Sequence, residues 1–432
     1  MSTGMTVVIV SFFIFLFLGF PVVYALGLPS VIWLLITPSA QAIILPTNML
    51  GYVSSFTLLC LPGFMLVGRL METCGITDRL FNFCTAIVGG FRGGMAYSNA
   101  VTSMVFASMS GSAIADAGGL GVVEMNMMKR AGYEPEFAAG ITAASSIIGP
   151  IIPPSAAMVL IGTLSNTSVA KMFVAGVIPG ILICGMLCLN VWMRAHFTAQ
   201  GKRWPSTKIP RKEQWNATLK AVPALFTFVI IMGSIMAGIC TPTEAAVLAV
   251  WYSIILGFCY RKVTVKGLWK ALKSTGVTCG PMFIVMTSAS IFTWVLTREG
   301  LSTMIGRLMA EYSGVVSDTQ ILLICLAIFL VVGCFVDATS AVYLLAPIVF
   351  PIVRNFGIDM VFFGVMMTYA LIIGVITPPF GICLFVVSSV AKLPVKEVTK
   401  EAVRYLPGMI ILAILFILFP QIVTFLPNLL FK

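Results

Sequence analysis

Long apolar stretches and short polar segments alternate along the whole of this 432-residue chain. Apolar stretches of about 20 residues are long enough to cross a hydrocarbon core of about 30 Å as helices, and we count roughly eleven or twelve crossings and half-crossings. Composition agrees, because 59% of the residues are hydrophobic and only 9% are charged, against roughly 25% charged in soluble domains. The sequence therefore predicts an all-α polytopic membrane protein.

One apolar stretch carries the motif Gly-Pro-Ile-Ile-Pro-Pro at Gly149–Pro154, and a near copy, Gly-Val-Ile-Thr-Pro-Pro, occupies Gly374–Pro379. Proline breaks a helix because it lacks an N–H and clashes with the preceding turn. Within a membrane such a break is tolerated only where the freed backbone faces packed protein or a polar cavity. Paired interruptions at corresponding positions of two halves indicate the binding site of a transporter.

A second unusual feature precedes the first proline motif. The apolar stretch from Ala100 to Met109 has about ten residues, which as a helix reach about 15 Å, half of the membrane. Ser-Gly-Ser at Ser110–Ser112 then interrupts it, and a second apolar limb runs to Met128. This length predicts a re-entrant hairpin with its tip at Ser110–Ser112. The alternative is a single long crossing with a kink at Gly111.

The second half of the chain repeats the first. Pro153 matches Pro378 at a separation of 225 residues, as do Gly75 with Gly300 and Gly132 with Gly357. In the hairpin region, aligning Asp116 with Asp337 gives a separation of 221. We therefore expect the segment 335–356 to form, or to belong to, a second re-entrant hairpin with Asp337 near its tip.

The distribution of basic residues predicts how the repeats are oriented. The polar segment 196–220 carries six Lys and Arg residues against one acid, so the positive-inside rule places it in the cytoplasm. The segment 163–172 contains only Lys171, whereas its counterpart 391–405 has four basic residues, Lys392, Lys396, Lys400 and Arg404. The two segments are expected on opposite sides of the bilayer, so the repeats are predicted to be inverted.

Other kinds of chemistry have little support in the sequence. The net charge of +11 resides in loops between apolar stretches and indicates orientation in the lipid bilayer, with no nucleic-acid partner. The 11 cysteines are scattered and His196 is the only histidine, so zinc binding, disulfides and enzyme catalysis are not expected. Thr241-Pro-Thr-Glu244 predicts a capping box at the start of a helix.

We divide the chain into six predicted parts. They are N-terminal membrane helices, mainly scaffold (1–95); a first hairpin and proline-broken helix of the transport domain (96–170); scaffold helices with cytoplasmic basic loops (171–275); a helix and connector of the second repeat (276–317); a second hairpin and proline-broken helix of the transport domain (318–392); and a C-terminal helix (393–432).

Taken together, five motifs resemble those of the large membrane subunit of tripartite ATP-independent periplasmic (TRAP) transporters. They are Ser110–Asp116, Lys129–Tyr133, Gly149–Ser155, Thr241–Ala245 and Ile376–Gly381. The resemblance implies a multi-pass protein of the bacterial inner membrane that imports an organic acid with sodium by an elevator movement. It also implies two partners, a small four-helix membrane subunit and a periplasmic solute-binding protein.

Broken helices expose carbonyl oxygens, and hard cations such as Na⁺ prefer oxygen ligands. We expect each hairpin tip to meet the unwound turn of its own proline motif and to form a sodium site there. The first site is predicted at Ser110, Ser112, Gly149, Ile151 and Pro154. The second is predicted at Gly333, Gly374, Thr377 and Phe380, with the Thr377 hydroxyl as its side-chain ligand.

A carboxylate substrate is expected between the two tips, where hydroxyls and helix N-termini receive an anion. The predicted substrate-binding residues are Ser110, Gly111, Ser112, Asp116, Pro153, Asp337, Thr339, Ser340 and Pro378. Asp116 and Asp337 have two interpretations, as caps of the second hairpin limbs or as contacts to ion or substrate. The rival function is a stand-alone ion-coupled anion carrier or antiporter that needs no binding protein.

Overall fold

The computed structural model describes residues 3–37, 41–206, 209–301, 303–304 and 317–431, and all regular secondary structure in these residues is helical. The α-helices are Thr3–Phe17, Val22–Ile36, Ile44–Val53, Cys60–Thr73, Ile76–Val88, Gly94–Ser110, Ala113–Gly118, Leu120–Arg130, Pro135–Ser145, Ala156–Leu164, Val169–Phe197, Arg211–Phe228, Ser234–Met236, Pro242–Cys259, Val265–Arg298, Asp318–Phe335, Ala338–Asn355, Met360–Val375, Ile382–Ala391, Val395–Ala402, Leu406–Leu418 and Gln421–Leu430. Short 3₁₀ segments and one π turn join some of them: Phe56–Leu59, Ser146–Ile148, Gly201–Arg203, Val229–Gly233 and Val403–Tyr405.

Eight helical segments in the described residues are long and apolar enough to cross a membrane. They are Phe56–Thr73, Val169–Phe197, Arg211–Met236, Pro242–Cys259, Val265–Arg298, Asp318–Phe335, Ala338–Asn355 and Val395–Leu418. The polytopic all-α prediction is therefore confirmed. The predicted connector within 276–317 lies largely outside the described residues.

The internal repeat is visible as matching helix boundaries. Ala113 and Ala338 begin the second limbs of the two hairpins, and Pro135 and Met360 begin the helices that lead into the proline motifs; each pair is 225 residues apart. Gly75, Gly132, Gly300 and Gly357 all have positive φ, as the repeat requires at matching turns.

The separation of 221 in the hairpin region is wrong. Ser112 caps the helix that begins at Ala113 by accepting from the Ala115 N–H, and Asp337 caps the helix that begins at Ala338 by accepting from the Thr339 N–H. The structural counterpart of Asp337 is thus Ser112, at the same separation of 225. Aligning the two aspartates by identity misled the prediction, because serine and aspartate serve the same capping role.

The first hairpin (94–130) reverses direction at Gly111, whose φ is +60°. Its two limbs run antiparallel, because Ser103 Oγ donates to Glu124 Oε1 at 3.3 Å and Asn99 contacts Met128. A single kinked crossing is therefore wrong. The first limb, Gly94–Ser110, has 17 residues and not ten, because polar residues such as Ser98 and Asn99 are buried inside it among hydrogen-bonding partners. Re-entry into the membrane stays a prediction.

The second hairpin (318–355) consists of Asp318–Phe335 and Ala338–Asn355, with Asp337 at the tip as predicted. The predicted segment 335–356 is its second limb. That limb is one continuous helix, whereas the first hairpin interrupts its second limb at Gly118 and Gly119.

Two groups of helices frame the proline motifs. Helix Cys60–Thr73 packs against Pro242–Cys259 and Val265–Arg298, and the latter also packs against Val22–Ile36; we call these four helices the scaffold group. The helices after the two breaks exchange partners: Ala156–Leu164 packs on the second hairpin and Ile382–Ala391 on the first. The two repeats are therefore interlocked around the two proline motifs.

Candidate ion and substrate site

Both proline motifs interrupt their helices, and both contain a cis Pro-Pro peptide bond, Pro153–Pro154 and Pro378–Pro379. In the first copy Ser155 Oγ donates to the Pro150 carbonyl at 2.5 Å and accepts from the Met158 N–H at 3.3 Å, which begins the next helix. In the second copy Phe380 occupies the position that matches Ser155. The next helix there begins after Gly381, whose φ is +38°.

The tip of the first hairpin meets the first proline motif. A Cβ atom added at Gly111 would lie 2.6 Å from the carbonyl oxygen of Pro154, so only glycine permits this approach. About one helical turn after the tip, Asp116 of the hairpin reaches the start of the proline motif. A Cβ atom added at Gly149 would lie 2.5 Å from Asp116 Oδ2. The carbonyl of Pro154 and the carboxylate of Asp116 thus lie at the contact between the first hairpin and the first proline motif, which we call the first seam. Both groups offer oxygen ligands of the type that Na⁺ accepts.

The tip of the second hairpin meets the second proline motif in the same manner, and we call this contact the second seam. The backbones of Gly333 and Gly374 cross so closely that a Cβ atom at Gly374 would lie 2.4 Å from the Gly333 carbonyl carbon. The Gly381 N–H donates to the Cys334 carbonyl at 3.1 Å. Thr377 Oγ1 donates to the Ile373 carbonyl at 2.7 Å, which leaves the lone pairs of the hydroxyl available to a cation.

The structure therefore brings together most of the predicted sodium-site residues but not all of them. Ser112, Gly149 and Pro154 gather at the first seam, whereas the Ile151 carbonyl oxygen lies against helix Val169–Phe197, 2.2 Å from a Cβ added at Gly176. The side chain of Ser110 lies outside the described residues. Phe380 packs its ring against Phe335, with centroids 5.4 Å apart.

The two seams differ in their exposure. Residues 151–155 of the first motif are all buried, whereas residues 378–380 of the second are exposed, Phe380 by 53%. The first break is enclosed by protein and the second is open at one side.

A cavity of about 430 Å³ lies between the scaffold group and the hairpin tips. Its hairpin side includes four of the predicted substrate-binding residues, Ser112, Asp337, Thr339 and Ser340. Four others, Gly111, Asp116, Pro153 and Pro378, are not among the described residues that line it. The cavity volume is in the range of small-molecule sites.

The two aspartates have different surroundings. Asp337 is the cap of its limb, accepting from the backbone N–H of Thr339 at 3.1 Å and from the hydroxyl of the same residue, and it also lines the cavity. Asp116 is not a cap, because Ser112 has that role, and its buried carboxylate faces Gly149 instead of the cavity. Capping is thus confirmed for Asp337 and wrong for Asp116.

Sequence reasoning missed two charged residues of the cavity. Arg69 and Glu72, on scaffold helix Cys60–Thr73, line it opposite the hairpin tips. They pair with each other, Arg69 Nη1 to Glu72 Oε2 at 3.3 Å. Their signal in the sequence was a pair of charges at the end of an apolar crossing.

A buried polar cluster behind the first seam was also missed. Ser145 Oγ donates to Asn99 Oδ1 and Asn99 Nδ2 donates to Thr142 Oγ1, both at 2.8 Å. Ser103 Oγ lies 2.9 Å from Ser145 Oγ and 3.3 Å from Glu124 Oε1. These hydrogen bonds tie both limbs of the first hairpin to helix Pro135–Ser145, so the hairpin and the helix before the break form one body.

The family model of the tripartite ATP-independent periplasmic transporter, DctM component, matches residues 9–422. The chain belongs to the DctM family. The predicted family membership, drawn from five short motifs, is thereby confirmed over nearly the full length of this permease.

Curated relatives of the permease agree with the family model. It is 38% identical to the sialic acid TRAP transporter large permease protein SiaM of Vibrio cholerae, covering 96% of each chain. It is 37% identical to the sialic acid TRAP transporter permease protein SiaT of Haemophilus influenzae, covering 99% of this chain and 69% of the relative. The C4-dicarboxylate TRAP transporter large permease protein DctM of Vibrio cholerae is 36% identical, with 95% of each chain covered.

Solved transporter structures share the fold. The Alcanivorax borkumensis YdaH transporter matches with a TM-score of 0.66 at 14% identity, over 90% of this chain and 91% of that one. Neisseria gonorrhoeae MtrF, described as one of a class of antimetabolite efflux pumps, matches with a TM-score of 0.58 at 13% identity, over 96% and 94%. At these identities the likeness concerns the fold alone.

Proposed function

We propose that the permease imports an organic acid together with sodium, receiving the acid from a periplasmic solute-binding protein and acting with a small four-helix membrane subunit in the bacterial inner membrane. The observation that carries this proposal is the cavity between the scaffold group and both hairpin tips, each tip held against its own broken helix. Relatives named for sialic acid and for C4-dicarboxylates support a carboxylate as substrate.

Sodium binds at the two seams in this proposal. At the first, the Pro154 carbonyl, the Asp116 carboxylate and the hairpin tip supply oxygen; at the second, the Thr377 hydroxyl and the carbonyls around Gly374 do so. Because each site joins a hairpin tip to a break, a bound ion fixes the tip that also lines the cavity. Sodium binding thereby orders the substrate site.

An elevator movement carries the hairpins and broken helices past the scaffold group in this proposal. The supporting feature is that the cavity has scaffold residues on one wall and hairpin residues on the other. Sliding the hairpins past the scaffold group would therefore change the side of the membrane to which the cavity is open. Helix Pro242–Cys259 ends just before the basic segment Arg261–Lys273. Gly257, close to that end, lies against Cys74, which follows helix Cys60–Thr73. Arg69 lies about 7 Å along its helix from Cys74, so the positive-inside rule places the Arg69 side of the cavity in the cytoplasmic half of the bilayer in this proposal.

The membrane potential adds to the sodium gradient. Moving one net positive charge inward gains about 2.3 kcal/mol per 100 mV, and about 1.4 kcal/mol corresponds to a tenfold ratio. Two sodium ions with one monoanion leave one surplus charge, which supports roughly 50-fold accumulation per 100 mV.

The test is uptake of labelled sialic acid and labelled succinate into liposomes that contain the permease and its small subunit. We expect uptake only with external sodium and only with the cognate periplasmic binding protein. Uptake that needs sodium but not the binding protein would support the stand-alone carrier instead. Potassium in place of sodium is the ionic control.

A further inference from the structure

The geometry points to Arg69 as the residue on the scaffold wall that binds the substrate carboxylate. This inference rests on the proposed function, since it concerns the same cavity. Arg69 is the only basic side chain among the described residues that line this cavity. It is not part of a proline motif or a hairpin.

The position of Arg69 suits an anion held at the hairpin tips. It lines the cavity from the scaffold side, while Ser112 and Ser340 line the opposite side with hydroxyls. A carboxylate in the cavity therefore meets hydroxyl donors on one side and a guanidinium on the other. The guanidinium offers several N–H donors in a planar fork that matches both oxygens of a carboxylate.

The present partner of Arg69 is easily replaced. Arg69 Nη1 lies 3.3 Å from Glu72 Oε2, and the two side chains are 36% and 44% exposed. Exposed ion pairs of this kind contribute little to stability. A substrate carboxylate that makes two short hydrogen bonds with the guanidinium thus displaces Glu72 at small cost.

The charges of the cavity also require a cation for an anionic substrate. Among the described residues, its lining contains Arg69 against two carboxylates, Glu72 and Asp337. Without Arg69, an incoming carboxylate would face two acids and only neutral donors in this part of the chain. Arg69 and the sodium ions at the seams are therefore complementary sources of positive charge.

The experiment compares Arg69→Gln, Arg69→Lys and the control Arg404→Gln in the complete liposome system with the binding protein. Arg404 also pairs with a glutamate three residues away, Glu401, and is 47% exposed, but it does not line the cavity. The probes are sialic acid and succinate as carboxylates, and their carboxamides as competitors that keep the shape without the charge.

We expect Arg69→Gln to raise KM for the transported carboxylate on the order of tenfold to a hundredfold, as expected for loss of charged hydrogen bonds. Its preference for carboxylate over carboxamide should also fall. The KM and the carboxylate preference of Arg69→Lys should lie between those of the wild type and Arg69→Gln, because lysine keeps the charge without the planar fork of donors. Arg404→Gln should match the wild type.

An Arg69→Gln protein with unchanged KM and unchanged preference for the carboxylate would overturn the inference while leaving the proposed function intact. If Arg69→Gln fails to fold, Arg69→Lys decides, since wild-type KM and preference in that variant would overturn it as well. Absence of sodium-dependent carboxylate uptake by the wild type would instead refute the proposed function.

Discussion

The crossing of Gly333 and Gly374 gives a quantitative test of the contact between the second hairpin and its broken helix. In Gly374→Ala the new Cβ atom would lie 2.4 Å from the carbonyl carbon and 2.5 Å from the Cα atom of Gly333. Ordinary carbon contacts are about 3.5–4.0 Å, so the two helices must separate by about 1 Å. The obstructing atoms are backbone, and no side chain can rotate away to relieve the clash.

The matched control is Gly276→Ala. Gly276 lies within helix Val265–Arg298, and nothing lies within 4 Å of its Cβ position. There alanine should stabilise the helix by about 0.5–1 kcal/mol. In Gly374→Ala that gain is outweighed by overpacking, which costs about 1–3 kcal/mol.

The assays are thermal unfolding of the purified complex and sodium-dependent uptake in liposomes. Gly374→Ala should unfold at a lower temperature than the wild type and should lose at least tenfold in uptake, because separating the two helices would open the proposed second sodium site. Gly276→Ala should equal or exceed the wild type in stability and should transport normally. If both variants behave alike in both assays, the close crossing does not support the site.

Three further predictions concern other parts of the chain. Thr377→Ala should raise the sodium concentration for half-maximal uptake about tenfold, whereas Thr377→Ser should not, because it keeps the hydroxyl; equal sodium dependence in both would contradict the second site. Glu401→Gln should lower stability by about 3 kcal/mol, because it leaves Arg194, whose side chain is 12% exposed, without its carboxylate at 2.6 Å; a melting temperature equal to that of the wild type would refute this. Glu244 closes the capping box by accepting from the Thr241 backbone N–H and from the Thr241 hydroxyl, both at 2.8 Å, so Glu244→Ala should lower the melting temperature because the N-terminus of helix Pro242–Cys259 loses its cap; a melting temperature equal to that of the wild type would argue against it.

The repeat, the reversal at Gly111 and the meeting of each tip with its proline motif could be predicted from the sequence. Glycine and proline at fixed separations restrict the backbone directly, so their positions carry structural information without knowledge of packing. The capping box at Thr241 and Glu244 was predictable for the same reason, and the structure confirms it.

The errors arose where polar residues are satisfied by distant partners. The first limb of the first hairpin was predicted too short, because Asn99 is polar in the sequence but hydrogen-bonded to Thr142 in the fold. Asp116 was misaligned with Asp337 because residue identity does not reveal which side chain caps a helix. Arg69 was missed because only the packing of the scaffold group against the hairpins turns the end of its helix toward the cavity.

The most direct test of the account is the dependence of substrate accumulation on membrane potential in liposomes with a fixed inward sodium gradient and the binding protein present. With two sodium ions and a monoanion, accumulation of sialic acid should rise roughly 50-fold for each additional 100 mV, negative inside. Accumulation that needs no sodium, or that proceeds equally without the binding protein, would contradict sodium-coupled import of a delivered carboxylate.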